Sequence, residues 1–263
     1  MRCSEIFEEL QAIMPLELAM DFDNPGLQLG RSDKLVKKVL IALDVTSEIV
    51  EDAVNEKVDL IITHHPMFFE PFKQINDFTP KGSMALKLMR HDISVISMHT
   101  NYDIAPGCMA DIAATKIGLE GMPLEITAEI DGELVGIGKA GTIEEEMSVI
   151  ELADFVKESF DLENVTVYGG EMIDKTNKVA ICPGSGRGMA KFAIENGCDV
   201  LITGDITHHE ALDAVEEGLC IIDASHYGIE KIFIDDMAKI LYNISDYKLE
   251  IVTDFATRKG IVR

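Results

Sequence analysis

Apolar residues along this chain fall into two rhythms that alternate. Unbroken β-rich runs come first, as in KVLIALDVT at residues 38–46 and the opening of VDLIITHHP. Between them lies EIVEDAVNEK, whose apolar positions recur at helical spacing and which Ser47 is placed to cap. The order strand, helix, strand is a βαβ unit. It continues with a helix expected near residues 83–91, the strand ISVISMHT, and a further helix from Met109 after the Pro106-Gly107 turn. At the N-terminus, Ile6, Phe7, Leu10 and Ile13 share one helical face and are interleaved with acids, which predicts an amphipathic first helix and not a secretory core.

The texture changes from Glu125 to Asp174, where Gly132, Gly136, Gly138 and Gly141 punctuate short β-like runs ahead of a helix over 149–160. Alternation then returns: strand KVAI, glycine turn CPGSGRG, helix MAKFAIENG, strand DVLITGD, helix EALDAVEEG, strand CIID. The expected fold class is therefore α/β, as two lobes with mixed, mostly parallel sheets and a site in the crevice between them. The first lobe is expected over 1–124 together with the returning segment 232–263, the second over 125–231. The halves share a layout, each carrying a His-His pair expected at a strand end, in THHP and in THHE.

At 263 residues, 47% hydrophobic and 27% charged, the chain can bury a full core, and no apolar stretch approaches the roughly 20 residues of a membrane helix. Five cysteines without a C-x-x-C pair suit a reducing, cytoplasmic setting better than a disulfide framework. A net charge of -24 sets an unfavourable long-range field against nucleic-acid phosphates, so small molecules and cations are the expected partners.

Six of the seven histidines (His64, His65, His99, His208, His209 and His226) lie in short segments at or just after expected strand ends. Strand carboxyl ends are where open α/β sheets bind ligands. His64 and His65 precede Pro66, which stops the strand and leaves both imidazoles in a turn. Asp103 follows His99 by four residues and offers a hard oxygen donor. His226 and Glu230, at i and i+4, project from one face of a helix beginning after Asp223 or Ser225. Three imidazoles and two carboxylates exceed the set of a single catalytic zinc and suit two divalent ions, with Glu230 as the bridge. His99 and Asn101 are expected to orient ligands by hydrogen bonds, and His99, His208 and His209 are the candidate proton carriers. Mixed nitrogen and oxygen donors accept zinc, iron, manganese, nickel or cobalt. Each motif alone has a plainer reading: a surface His-His pair, an Asx-turn at Asp103, a helix cap at His208 or Asp205, and simple turn chemistry in CPGSGRG, which as a phosphate cradle would add Arg187.

Together FDNPGLQLG, THHPMFF, SMHTNYDIAPG, TGDITHHEALDAVEEG and DASHYGIEK resemble the NGG-interacting-factor-like dinuclear metal-centre family, whose members are often labelled GTP cyclohydrolase 1 type 2 homologues. The resemblance implies metal ligation by the same five residues: His64, His65, Asp103, His226 and Glu230. It also implies the short form without an inserted domain, assembled as a homohexamer. Two departures stand out: Phe22 replaces the usual tryptophan, and Ser225 the usual glycine. The function the resemblance implies is that of a metal-dependent hydrolase acting on GTP or another phosphorylated small molecule. A non-catalytic metal-binding or regulatory scaffold, and a dinuclear phosphoesterase, remain open beside it.

Overall fold

The computed structural model describes residues 1–71 and 73–255. The chain forms two compact units, one of residues 1–102 with the returning segment from Phe233, the other Asp103–Ile232. Of the returning segment expected over 232–263, residues 256–263 lie outside the described residues.

The first unit opens with helix α1 (Cys3–Ile13), which buries Cys3, Ile6 and Leu10 as its amphipathic spacing requires. Strands β1 (Gly26–Leu29) and β2 (Lys38–Ala42) follow, then helix α2 (Ser47–Asn55), strand β3 (Leu60–Thr63), helix α3 (Pro80–Arg90) and strand β4 (Ser94–Ser97). The cap of α2 is Thr46, whose hydroxyl accepts from the Ile49 N–H at 3.2 Å, where Ser47 was expected. A short helix α4 (Thr100–Ile104) comes next, and the division between units falls inside it.

In the second unit, helix α5 (Met109–Lys116) precedes an antiparallel hairpin of β5 (Glu120–Ile130) and β6 (Glu133–Met147). Its turn is Asp131-Gly132, with φ of 52° and 89°, the left-handed pair that a two-residue hairpin needs. Helix α6 (Val149–Ser159) starts from a capping box made by Ser148 and Glu151. Then come β7 (Thr166–Tyr168), β8 (Thr176–Ile181), α7 (Ala190–Glu195), β9 (Val200–Thr203), α8 (His208–Glu216), β10 (Cys220–Asp223) and α9 (His226–Glu230). The chain re-enters the first unit through α10 (Ile232–Ile244) and β11 (Glu250–Thr253). The sequence put the first boundary near residue 124, where the glycine texture begins. The compact units divide earlier because α5 packs against β6 and β8, all within the second unit.

The first sheet has the order β1-β4-β3-β2-β11, parallel except for β1, and the second β5-β6-β8-β9-β10-β7, with a parallel centre β8-β9-β10 and antiparallel edges. Every residue of β3, β4 and β9 is buried, which is why these strands read as unbroken apolar runs. Leu40, Ile61 and Val95 join Ile49 and Leu88 in the first core, while Leu201, Ile221 and Ala214 lie in the second. Among the described residues no helix is long and apolar enough to cross a membrane.

The two units repeat one backbone pattern. Val58 N–H donates to Ala53 as Cys198 does to Ala193, and Asp59 to Lys38 as Asp199 to Lys178. Ile93 donates to Leu88 as Leu219 to Ala214, and Met98 to Thr63 as Ala224 to Thr203. Strand β3 therefore corresponds to β9, and the counterpart of Thr63-His64-His65 is Thr203-Gly204-Asp205. This corrects the expected THHP and THHE correspondence: His208 and His209 stand beyond the strand end, on the first turn of α8.

Candidate functional site

In the first unit, three imidazoles converge where β3 and β4 end. Ring centroids of His64 and His65 are 5.0 Å apart, of His64 and His99 5.1 Å, and of His65 and His99 5.5 Å. One ligand-capable atom from each lies within 4.8 Å of the others. Each Nδ1 meets a fixed acceptor: His64 the Met98 carbonyl at 2.9 Å, His65 the Asp44 Oδ1 at 2.8 Å, and His99 the Asp23 Oδ1 at 2.7 Å. An imidazole whose Nδ1–H is donated in this way presents its lone pair at Nε2, the tautomer a metal ligand requires.

These side chains are held from behind. The His65 carbonyl accepts from the Thr63 and Ser97 hydroxyls at 2.9 and 3.2 Å, closing the ends of both strands. His64 is fully buried against Phe233, at 5.3 Å between centroids, and Tyr102, whose hydroxyl donates to Asp236 on α10. Asn101 orients backbone, as its Oδ1 accepts from His99 N–H at 3.0 Å and its Nδ2 donates to the Met14 carbonyl at 2.8 Å. The Asp23 side chain is fully buried and also accepts from both Thr100 donors. Burial alone would raise its carboxyl, but the His99 hydrogen bond and charge and the Thr100 donors outweigh that and lower it to about 2.

In the second unit, α9 sets His226 and Glu230 one turn apart, with Nε2 to Oε2 at 2.9 Å and Glu230 buried. Asp205 Oδ2 stands 3.8 Å from His226 Nδ1, and its Oδ1 accepts from His226 N–H at 3.4 Å, so this imidazole is also backed by a carboxylate. Asp223 ties the strand ends together by accepting from the N–H groups of Asp205, Ile206 and Ser225. Ser225, where the resembled family usually has glycine, has φ 59° and ψ 148°, a conformation normally left to glycine. Its hydroxyl accepts from Gly228 N–H at 3.0 Å and caps α9. The helix thus begins after Ser225, one of the two starts the sequence left open.

CPGSGRG wraps this pair. Gly184 has φ 81°, and a Cβ there would meet Glu230 Oε1 at 2.9 Å and His226 Nε2 at 4.0 Å; one on Gly186 would strike the buried Thr203 hydroxyl. The glycines accordingly serve close packing around the carboxylate-imidazole pair. Burial pushes the Cys182 thiol well up, and the charges of Asp103 and Glu230 raise it further. Asp103 itself sits in α4, half-buried.

Taken unit by unit, the donors fit divalent metal ions: in the first, imidazoles fixed in the ligating tautomer, and in the second, a buried glutamate beside an imidazole, a half-buried aspartate and a glycine cradle a Cβ would fill. His208 and His209 are exposed, their rings 5.5 Å apart, and the cap of their helix is Thr207, which accepts from Glu210 N–H, in place of His208 or Asp205. Sequence reasoning missed Asp23 and Asp44 and read Asp205 only as a cap. The available signal was an acid beside a strand end, as in ALDVT and ITGD.

A family model described as Duf34/NIF3 (NGG1p interacting factor 3) matches residues 1–258. A relative from Streptococcus pneumoniae, named GTP cyclohydrolase 1 type 2 homolog, is 38% identical over 245 residues, covering 92% of this chain and 90% of its own length. Reduced HcgD from Methanocaldococcus jannaschii superposes with a TM-score of 0.83 at 32% identity, covering 96% of this chain and 97% of that one. A Bacillus cereus protein related to NIF3 superposes at 0.89 with 24% identity, covering 100% and 99%, and shares the fold.

Proposed function

The chain belongs to the Duf34/NIF3 family, and from that premise we propose that it binds two divalent metal ions through His64, His65, Asp103, His226 and Glu230 and acts as a metal-dependent hydrolase on a nucleotide-like small molecule. The observation that supports this best is the anchoring of Nδ1 in His64, His65 and His99 on Met98, Asp44 and Asp23, which leaves the lone pair of three neighbouring imidazoles at Nε2, as ligation by His64 and His65 requires. His99 carries a ligand-capable atom within 4.8 Å of those of His64 and His65.

Bound divalent ions supply Lewis-acid polarisation of a substrate carbonyl, ring carbon or phosphoryl oxygen. The protein's own part is to hold and orient. Asp23, Asp44 and Asp205 keep three imidazoles in register, Phe233 and Tyr102 wall His64 off from water, and Gly184 leaves room beside Glu230. Glu230 is proposed as the bridge. Protons leave through an imidazole outside the five ligands, His208 or His209 on the exposed first turn of α8, or His99.

The substrate proposed from the relatives' name is GTP, with a ring-opened or formylated pyrimidine as product. The assembly is proposed to be a homohexamer in the cytoplasm. Elemental analysis of protein purified without chelators is expected to give about two ions per chain, and one or fewer after metal loading would overturn the dinuclear reading. GTP incubated with protein carrying each candidate metal, followed by mass spectrometry, tests the activity. Unchanged GTP throughout would remove the cyclohydrolase reading and leave a metal-binding scaffold. Light scattering that reports a monomer would overturn the hexamer.

A further inference from the structure

The loop ahead of β1 has a task beyond holding His99. Asp23 fixes the His99 ring, and the next residue, Asn24, donates from Nδ2 to the Phe68 carbonyl at 2.6 Å. Gln28 accepts from Phe68 N–H at 3.2 Å and donates back to the Asn24 carbonyl at 2.6 Å. Both backbone groups of Phe68 are therefore tied to this loop and the strand it leads into. The residues just outside these ties are Phe22 and Phe69, which the hydrogen bonds set side by side.

Their ring centroids are 6.2 Å apart with the planes tilted by 49°, so neither ring lies flat on the other. Phe22 is 61% exposed and Phe69 41%, so the adjacent rings leave a joint apolar surface uncovered. Phe69 also meets the His99 ring edge-on, 6.2 Å between centroids at 84°. An exposed aromatic pair thus borders the three-histidine group inside the first unit, and the loop that orients one of those histidines also positions the pair.

We propose that Phe22 and Phe69 form a stacking edge that receives a planar heteroaromatic ring, such as a purine base, beside the His64–His65–His99 group. The inference rests on the reading of that group as the working centre. Stacking on a π-face is sequence-tolerant and needs no hydrogen-bond code, which fits a chain without a recognisable guanine-reading motif. The net charge of -24 repels a polyphosphate at long range, so the ring is the part of a nucleotide this edge can hold.

The chain contains no tryptophan, so Phe22→Trp installs a single tryptophan, excited apart from the five tyrosines, at the edge while keeping an aromatic ring there. The metal-loaded full chain carrying Phe22→Trp is titrated with guanosine, GTP, ribose 5-phosphate and tripolyphosphate. Saturable quenching by guanosine and GTP but by neither ring-free compound is expected, and Phe69→Ala in the same background weakens it by about fivefold or more. Quenching by all four compounds, or by none, overturns the stacking edge. So does a change of assembly mass in Phe69→Ala, seen by light scattering, since the pair would then be a subunit contact. Metal content is measured on every sample: a loaded protein with an unresponsive tryptophan overturns the stacking edge alone, whereas a wild-type chain that takes up no metal overturns the reading beneath it.

Discussion

Replacing Asp23 by asparagine tests whether the carboxylates behind the imidazoles matter. The buried Asp23 side chain accepts from His99 Nδ1, from Asn24 N–H, and from the N–H and hydroxyl of Thr100. Asparagine is nearly the same size but has one acceptor oxygen, and its NH2 must face one of these donors. The carboxyl is lowered from 3.8 to about 2 although burial alone would raise it, which corresponds to about 2 kcal/mol in favour of the ionised, folded state. Because the folded value lies below the unfolded one, this stability is fully present above about pH 4 and is lost as pH falls through 2. Urea denaturation of chelator-stripped protein at pH 7, followed by far-UV circular dichroism, should show the variant unfolding about 1 M earlier. The gap should close as pH is lowered toward 2. Asp44→Asn should cost less, since the Asp44 side chain is 39% exposed and water screens its pairing with His65. In metal competition against a chelator, Asp23→Asn should lose about 10- to 100-fold in affinity. Equal urea midpoints at pH 7, or a gap that persists unchanged at pH 2.5, would mean that the ionised Asp23 carboxylate does not stabilise the fold.

Further outcomes are expected at single positions. Gly184→Ala forces a Cβ to 2.9 Å from Glu230 Oε1 at a φ of 81°, so metal retained after dialysis should drop while the far-UV spectrum stays native. Ser225→Gly should raise thermal stability by about 1 kcal/mol, because relief of the positive φ exceeds loss of the cap, whereas Ser225→Ala, which keeps the strain and loses the cap, should lower it by about as much. All five cysteines are buried and the Cys182 thiol is strongly raised, so native protein should show no fast-reacting thiol with a disulfide reagent and five after unfolding.

Local pattern determined a great deal about this protein. Buried strands announced themselves as apolar runs because both faces of each sheet are covered, and α1, α2 and α6 showed a helical face. The i, i+4 spacing of His226 and Glu230 was enough to join them, since a helix fixes that geometry within one turn. His64 and His65 were legible for a similar reason, as a proline beside them ends the strand.

Tertiary structure decided what depends on residues distant in the chain. That Asp23 backs His99 across 76 positions, and Asp44 backs His65 across 21, comes from the strand order β1-β4-β3-β2, which no local rhythm encodes. The same holds for the false symmetry of THHP and THHE. By sequence the two histidine pairs look equivalent, but the backbone hydrogen bonds equate His64 and His65 with Gly204 and Asp205 and carry His208 and His209 onto the next helix. A strand's end is set by where its partner strand stops supplying hydrogen bonds, and β9 stops at Thr203 because β10, paired through Asp223, turns there into the loop that presents His226.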